Sequence, residues 1–326
     1  MTRSRTERLA FAALLTMAAV WGSTFFLMKD LLTRVGVLDM LAVRFAIASV
    51  ALALLAAPRL RIDATVLRRG VLLGLLYGAA QIVQTVGLSL TSASVSGFVT
   101  GLYVVLTPLL GALLFRSRIG AATWAGAALA AVGLGVLSLQ GFSVGSGEAL
   151  TLASAALYAL HILVLSRFTD PERALGLSLV QLVVITLVCT GAALLPDSSG
   201  HAGITLPATA GDWASMLYLA VVAGAGAMVL QTWAQAHVEP SSAAVVMAAE
   251  PVWAAVFAVL LGGERPTLRM VLGGLAIVGA MYLVELAPRR ASRADVPLDE
   301  DAEPALEVPP PGVPSVVPPP SGPPRT

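Results

Sequence analysis

The chain has 326 residues, of which 57% are hydrophobic and only 12% are charged, and its formal net charge is +1. Soluble domains carry about 25% charged residues. A water-soluble globular fold is therefore excluded, because it could not bury this much apolar surface, and the composition calls for a lipid solvent.

Ten apolar segments are long enough to cross the hydrocarbon layer, which takes about 20 helical residues. The first segment follows Arg3, Arg5 and Arg8, as the apolar part of a signal peptide does, but its run is too long for a typical signal core, so we predict a retained helix. The third and fourth segments are separated only by the uncharged stretch around Thr91 and Ser92. The predicted spans are 9–28, 37–57, 70–90, 94–115, 119–139, 148–166, 174–195, 213–235, 241–261 and 267–286.

The distribution of basic residues predicts the orientation of the chain. With the N-terminus in the cytoplasm, the segments on the inner side hold fourteen Lys and Arg residues and those on the outer side hold four. Cytoplasmic loops of membrane proteins are enriched in Lys and Arg. The sequence therefore predicts a multi-pass membrane protein with both termini in the cytoplasm. Its single lysine, Lys29, beside abundant Ala, Gly, Arg and Pro suggests a bacterial genome, so the predicted location is the bacterial plasma (inner) membrane.

The two halves of the chain repeat each other. Gln84 in span three and Pro108 in span four recur as Gln231 in span eight and Pro251 in span nine. Each half holds five spans, an odd number, so the second half enters the membrane in the opposite orientation. The predicted fold is an all-α polytopic membrane protein of ten helices, built as two inverted-topology repeats. The predicted repeats are residues 9–139 and 148–286.

Residues 288–326 differ in composition from the rest of the chain. They contain twelve of the twenty prolines and a series of acidic residues. Such a segment cannot bury enough apolar surface to offset its ordering entropy. We predict a disordered, proline-rich cytoplasmic tail, and a docking motif within it is the alternative.

Polar and aromatic side chains inside the predicted spans are the candidates for a solute pocket. Interior polar groups are costly in a bilayer and usually face the bundle or a water-filled cavity. The alternative for each residue is a hydrogen bond that joins two helices. Because such residues occur in both halves, we predict that together they form a pocket near the membrane midplane. The candidates are Trp21, Thr24, Gln84, Tyr103, Tyr158, His161, Gln231 and Trp233.

Three further residues carry predictions of their own. Pro108 and Pro251 occupy matching spans and are predicted helix breaks, since broken helices at corresponding positions indicate a transport site; a packing kink is the alternative. Glu250 is an acid in mid-span, and burial favours its neutral form. Glu250 is therefore the candidate for proton coupling. The alternative is that its carboxyl group only forms a hydrogen bond with a neighbouring helix. Arg44 is predicted either to snorkel or to pair with an acid.

The sequence predicts no metal, no cofactor and no disulfide. Its one cysteine is Cys189, its three histidines are scattered, and it has no phosphate-binding glycine loop ending in Lys-Ser or Lys-Thr. The predicted partners are a small-molecule solute and the lipid bilayer, with no nucleic acid. The glycine-rich fifth and tenth spans form either a homodimer face or the back wall of the protein.

Several motifs resemble those of the drug/metabolite transporter superfamily, in its ten-helix EamA-domain branch. They are Trp21-Gly22-Ser23, the stretch from Gly97 to Pro108, and Glu250-Pro251 with Gly263-Glu264. The resemblance covers about residues 9–286 and implies a secondary carrier of the plasma membrane, often an exporter of amino acids or related metabolites. One acid that the family often carries after the fourth helix is replaced by Arg116-Ser117-Arg118.

A transporter of small metabolites that works by alternating access, and not an enzyme, is therefore the predicted function. The alternative is an intramembrane enzyme or a non-transporting scaffold. An enzyme would need paired carboxylates, a nucleophile with its base, or metal ligands at one depth, and the sequence offers one firm mid-span acid. The sequence leaves two choices open. One is between import and export, and the other is between proton coupling and facilitated diffusion.

Overall fold

The protein is almost entirely helical. The computed structural model describes residues 5–115, 120–140, 143–168, 173–195, 203–227, 230, 234, 237 and 246–285. A short antiparallel pair, β1 (Leu139–Gln140) and β2 (Ser143–Val144), lies between the two halves. The α-helices with described bounds are α1 (Arg5–Leu31), α2 (Val37–Ala56), α3 (Ala64–Leu90), α4 (Ala93–Gly101), α5 (Tyr103–Phe115), α6 (Ala121–Ser138), α7 (Ser146–Phe168), α8 (Ala174–Ala193), α9 (Ala210–Leu217), α10 (Glu250–Leu260) and α11 (Leu268–Glu285). A 3-10 turn (Ala57–Arg59) follows α2, and a π-helix (Tyr218–Gly226) continues α9.

Six helical segments of the described residues are long and apolar enough to cross a membrane. They are Arg8–Leu31, Val37–Arg59, Ala64–Leu90, Ala93–Leu114, Ser146–Leu165 and Leu175–Ala193. Three shorter apolar helices are Ala121–Leu137, Glu250–Leu260 and Leu268–Val284. The all-helical, multi-span character is confirmed, while the count of ten helices stays a prediction.

Large apolar side chains cover the outside of the bundle. Leu54, Leu113, Leu187, Leu260 and Leu275 lie on five different helices, and each is at least 65% exposed. Contiguous exposed apolar surface of this kind is rare on soluble monomers. Such a surface fits an environment of lipid hydrocarbon chains.

The third and fourth predicted spans are separate helices, as the sequence predicts. Helix α3 ends at Leu90, Thr91 is extended, and Ser92 accepts a hydrogen bond from the Val95 backbone N–H at 3.3 Å. Side-chain capping of this kind satisfies a backbone donor that the first turn of a helix leaves free. Two hydroxyl residues therefore separate the helices, and the separator itself contains no charged residue.

The break in the fourth span lies earlier than predicted. Pro108 is inside α5, and the helix is interrupted at Leu102, where the Leu102 backbone N–H bonds to Val99 O at 3.2 Å in a tighter turn. A proline ring clashes with the carbonyl group four residues before it, here that of Val104, which already lies in α5, so the interruption at Leu102 is a separate feature that the sequence does not signal. The prediction that the break falls at Pro108 itself is corrected to Leu102.

Helices α6 and α11 pack closely through glycines. A Cβ atom at Gly133 would lie 2.9 Å from the Gly273 carbonyl oxygen, and one at Gly273 would lie 2.9 Å from the Gly133 carbonyl oxygen. Small residues allow such close approach of membrane helices. These two glycines therefore belong to a seam within the chain; a homodimer stays a prediction, and the predicted tail lies outside the described residues.

Buried apolar side chains hold the remaining helices together. One cluster joins α1, α2, α3 and α8 with the π-helix, and its fully buried members include Leu52, Ile185 and Leu219. A second cluster joins α4 to α7 with α10 and α11. Buried polar residues on α2, α3, α4 and α7 lie among these apolar side chains.

Candidate functional site

The Gln84 side chain connects three helices inside the bundle. Its Oε1 accepts a hydrogen bond from the Tyr158 hydroxyl at 2.8 Å, and its Nε2 donates to Thr100 Oγ1 at 3.1 Å. Gln84 lies on α3, Thr100 on α4 and Tyr158 on α7. Gln84 and Thr100 are buried and Tyr158 is half-buried. Because both ends of the amide are paired, the position of the Tyr158 ring is fixed.

Tyr77 is the centre of an aromatic cluster that sequence reasoning missed. Its ring centroid lies 5.9 Å from that of Tyr158, 5.2 Å from that of His161 and 6.3 Å from that of Phe45. Its hydroxyl accepts a hydrogen bond from Gln81 Nε2 at 2.9 Å. Tyr77 stands one helical turn before Gln81, which is the signal that could have found it. The rings offer apolar faces and polar edges to a solute.

His161 is tied to α8. Its Nε2 lies 2.7 Å from Gln181 Oε1, and Gln181 Nε2 donates to the Leu177 carbonyl oxygen at 3.2 Å. Because the Gln181 amide nitrogen is used in that bond, its oxygen is the acceptor and the His161 Nε2 carries the proton. The contact with Tyr77 places His161 at the edge of the aromatic cluster.

The residues of the Trp21-Gly22-Ser23 motif join α1 to the second half of the chain. Trp21 Nε1 donates to the Ala223 carbonyl oxygen at 2.9 Å, and the Ser23 hydroxyl lies 2.8 Å from the Tyr218 hydroxyl. A Cβ atom at Gly22 would lie 2.8 Å from a backbone nitrogen of α10. The motif therefore packs α1 against α10 with its glycine and bonds the π-helix with its polar side chains.

The π-helix is a feature that the sequence did not predict. It covers Tyr218–Gly226 and supplies both partners of the motif on α1. Stretches of π-helix are uncommon and occur frequently at functional sites. The only signal in the sequence is a run of small residues that includes Gly224 and Gly226.

Four predicted pocket residues remain, of which the structure describes Thr24 and Tyr103. The Thr24 hydroxyl bonds its own helix, at 2.7 Å from the Trp21 carbonyl oxygen. Tyr103 is the first residue of α5 and is half-buried. Gln231 and Trp233 lie outside the described residues.

Arg44 does not snorkel to the membrane surface as predicted. Its side chain is 7% exposed, and NH1 donates to Met28 Sδ at 3.2 Å. Its Nε is buried and has no hydrogen-bond partner among the described residues. The guanidinium lies close enough to interact electrostatically with the Tyr77 and Tyr158 phenols. Within the described residues no acid forms an ion pair with Arg44, so that alternative is also not observed.

Glu250 and Pro251 begin α10. Proline is favoured in the first turn of a helix, because its missing N–H would have no partner there. Glu250 is half-buried and lies close enough to interact electrostatically with Tyr77 and Tyr158. A Cβ atom at Gly101 would lie 2.6 Å from Pro251 Cγ, so α4 and α10 meet where both are interrupted.

Two charged side chains at one end of the bundle form hydrogen bonds with the ends of helices. Lys29 Nζ donates to the Leu88 and Ser89 carbonyl oxygens, each at 2.9 Å, at the end of α3. Glu264 accepts a hydrogen bond from the Ala93 backbone N–H at 2.6 Å and another from the Ser94 hydroxyl, at the start of α4. Both charges match the partial charges of the helix ends that they contact. The sequence shows Glu264 only as part of the Gly263-Glu264 motif, and these contacts give both Glu264 and Lys29 a structural role.

A comparison with known protein families also divides the chain into two repeats. The sequence profile of the EamA-like transporter family matches residues 8–139 and again residues 145–286. The chain belongs to the EamA-like transporter family. An uncharacterized transporter from Archaeoglobus fulgidus is 29% identical over 271 residues, which are 83% of each chain. With its apolar spans, this family member is a multi-pass membrane transporter of the drug/metabolite transporter superfamily.

A solved structure shares the fold. It is described only as a crystal structure of a protein, and it superposes with a TM-score of 0.59 at 22% sequence identity. The match covers 87% of this chain and 99% of the other. At this identity the similarity concerns the fold of this EamA-family chain and not its solute.

We expect Tyr158→Phe to lower the free energy of unfolding by about 1–3 kcal/mol, because it leaves Gln84 Oε1 buried without a donor. The measurement is unfolding of the purified protein in mixed detergent micelles, followed by circular dichroism. Tyr282→Phe is the matched control, since in the described part of the chain the Tyr282 hydroxyl has no partner. Equal changes in the two variants would contradict the assigned role of Gln84.

Proposed function

We propose that this protein is a secondary carrier that moves small amphipathic metabolites, amino acids or related compounds, out of a bacterial cell by alternating access. Its solute binds between two inverted five-helix repeats. The observation that carries the proposal is the group of polar and aromatic side chains on α2, α3, α4 and α7, centred on Tyr77 and Gln84, inside a bundle with an apolar exterior.

The inverted repeat is supported by the pattern of helix contacts. With repeats at 9–139 and 148–286, a two-fold axis in the membrane plane exchanges α2 with α8 and α6 with α11, and each of these pairs is in contact. The same axis relates α3 to the segment made of α9 and the π-helix. It therefore relates the contact between α3 and α8 to the contact between the π-helix and α2, and both contacts are present.

The orientation of the carrier follows from its basic residues. Both termini are in the cytoplasm of a bacterium, and the proline-rich segment 288–326 is a cytoplasmic tail. The end of the bundle with Lys29 and Glu264 then faces outward. Their contacts with the ends of α3 and α4 would close the outer entrance, and the solute would reach the site from the cytoplasm.

The pocket residues have distinct roles in this proposal. The rings of Tyr158, Tyr103, Trp21 and Trp233 contact the apolar part of the solute. Gln84, Gln231, Thr24 and His161 orient its polar part through hydrogen bonds. The helix interruptions at Leu102 and before Pro251 lie next to each other and provide the backbone flexibility that rocking of the repeats requires.

Comparison of extracellular and intracellular metabolites tests the function directly. Cells that overproduce the protein should accumulate one class of amphipathic metabolite in the medium, with a matching fall inside the cell, relative to cells without it. A variant with Gln84→Leu and Tyr158→Phe, inserted in the membrane to the same level, is the control for indirect effects. A solute that accumulates inside the overproducing cells would contradict export, and unchanged pools would contradict the proposed solute class.

Glu250 is the proposed proton-coupling group, because it is half-buried beside the aromatic cluster and begins a helix that contacts both α1 and α4. In proteoliposomes we expect Glu250→Gln to abolish solute uptake driven by a pH gradient and to spare solute exchange. Glu148→Gln, at the start of α7, is the control and should retain both activities. Undiminished pH-driven uptake by Glu250→Gln would remove Glu250 as the coupling group.

A further inference from the structure

Two buried polar atoms near Tyr77 have no hydrogen-bond partner among the described residues. One is Arg44 Nε on α2 and the other is Gln81 Oε1 on α3. Arg44 is 7% exposed and Gln81 is 6% exposed. Buried polar groups are nearly always paired, and the exceptions call for a physical reason such as an absent ligand. A donor and an acceptor without partners in one cluster indicate a ligand that supplies both complements.

Within the described part of the chain no carboxylate lies at ion-pair distance from Arg44. Its guanidinium donates to Met28 Sδ, a weak acceptor, and its central carbon lies 5.2 Å from the centroid of the Phe45 ring. None of the ion pairs in the described part of the chain includes Arg44. A charged residue inside a membrane bundle that lacks a protein partner marks a solute or ion pathway.

Tyr77 lies near both groups. The Gln81 Nε2 donates to the Tyr77 hydroxyl at 2.9 Å, which leaves the Gln81 carbonyl oxygen as the free acceptor. The Tyr77 ring packs edge-on against Phe45, whose own ring lies under the Arg44 guanidinium. Arg44 and Gln81 therefore flank one tyrosine, on two adjacent helices.

We infer that Arg44 is the anchor for a carboxylate of the solute and that the Gln81 carbonyl oxygen accepts a hydrogen bond from its amino group. A guanidinium binds a carboxylate through two parallel N–H···O bonds, which lysine cannot reproduce. An α-amino acid carries both complementary groups on one carbon, and its side chain would contact the aromatic cluster. The inference rests on the proposed function and narrows its solute to zwitterions, in preference to amines that lack the acid.

The test compares each amino acid with its own carboxamide, which keeps the amine and the side chain but removes the negative charge. The probes are phenylalanine, leucine and threonine, and binding to the full-length protein in lipid nanodiscs is measured by calorimetry. The wild type should bind at least one acid about tenfold or more tighter than its amide, the factor that loss of one charge-assisted hydrogen bond produces. Arg44→Gln should abolish this preference, whatever its effect on the binding of the amide.

Two variants separate anchoring from a structural role. Arg44→Lys keeps the charge without the fork and should retain a reduced preference for the acid, and it replaces Arg44→Gln if that variant fails to fold. Met28→Leu removes the observed partner of Arg44 and should leave the preference unchanged. If Arg44 acted only by packing, Arg44→Lys would leave the preference for the acid unchanged and Met28→Leu would reduce it.

The outcomes distinguish this inference from the proposed function. Equal binding of acid and amide by the wild type, or an intact preference in Arg44→Gln, would overturn the role of Arg44 and leave an amphipathic carrier. If the wild type binds no acid and no amide of the panel, both the anchor and the proposed solute class fail.

Discussion

The absence of water from the hydrocarbon that surrounds the bundle is the constraint on which this structure depends. Each polar group that leaves water must find a partner within the protein, because hydrocarbon offers none. The chain meets this demand with bonds between distant elements, such as that of Trp21 with Ala223 and that of Gln84 with Tyr158. The same bonds that satisfy polar groups also fix which helices are neighbours. The atoms that stay unpaired, on Arg44 and Gln81, are therefore informative about the solute.

Glycines determine how closely the helices approach, since association in lipid depends on packing more than on the hydrophobic effect. Gly22 on α1 and Gly101 on α4 leave room for the start of α10, where Glu250 and Pro251 lie. Gly133 and Gly273 form a second seam on α6 and α11. One seam positions the interrupted helices beside the aromatic cluster, and the other joins the last helices of the two halves. In our proposal the solute gains access when the helices move about the contact of Gly22 and Gly101 with α10. The contact between Gly133 and Gly273 stays fixed during this movement.

The elements could be predicted from the sequence, because apolar length and separator residues are local properties. The Ser89 to Val95 separator is an example: Thr91 and Ser92 end one helix and cap the next. The family was also accessible, since its motifs lie in order along both halves. The break of the fourth span lies at Leu102, six residues before the predicted Pro108, and the clash of a proline with the carbonyl group four residues before it does not account for this position.

Contacts between residues far apart in the chain could not be predicted. Nothing local indicates that Lys29 reaches the end of α3, that His161 bonds Gln181, or that Tyr77 joins α2 to α7. The burial of Arg44 without an acid is a further case, since sequence reasoning offers only snorkelling or ion pairing. The site was thus predicted as a set of residue types, and its arrangement depends on tertiary packing.

Opposite orientation of the two halves is the central claim, and labelling of matched loops tests it most directly. Ile62, after α2, and Leu206, before α9, are exposed loop residues at corresponding places in the two repeats. Single cysteines at these positions, in a Cys189→Ala background, are treated with a membrane-impermeant maleimide in cells whose outer envelope admits the reagent. Our proposal predicts that Leu206→Cys reacts in intact cells and that Ile62→Cys reacts only after the inner membrane is opened. Labelling of both cysteines from the same side would contradict the inverted repeat and the site between its halves.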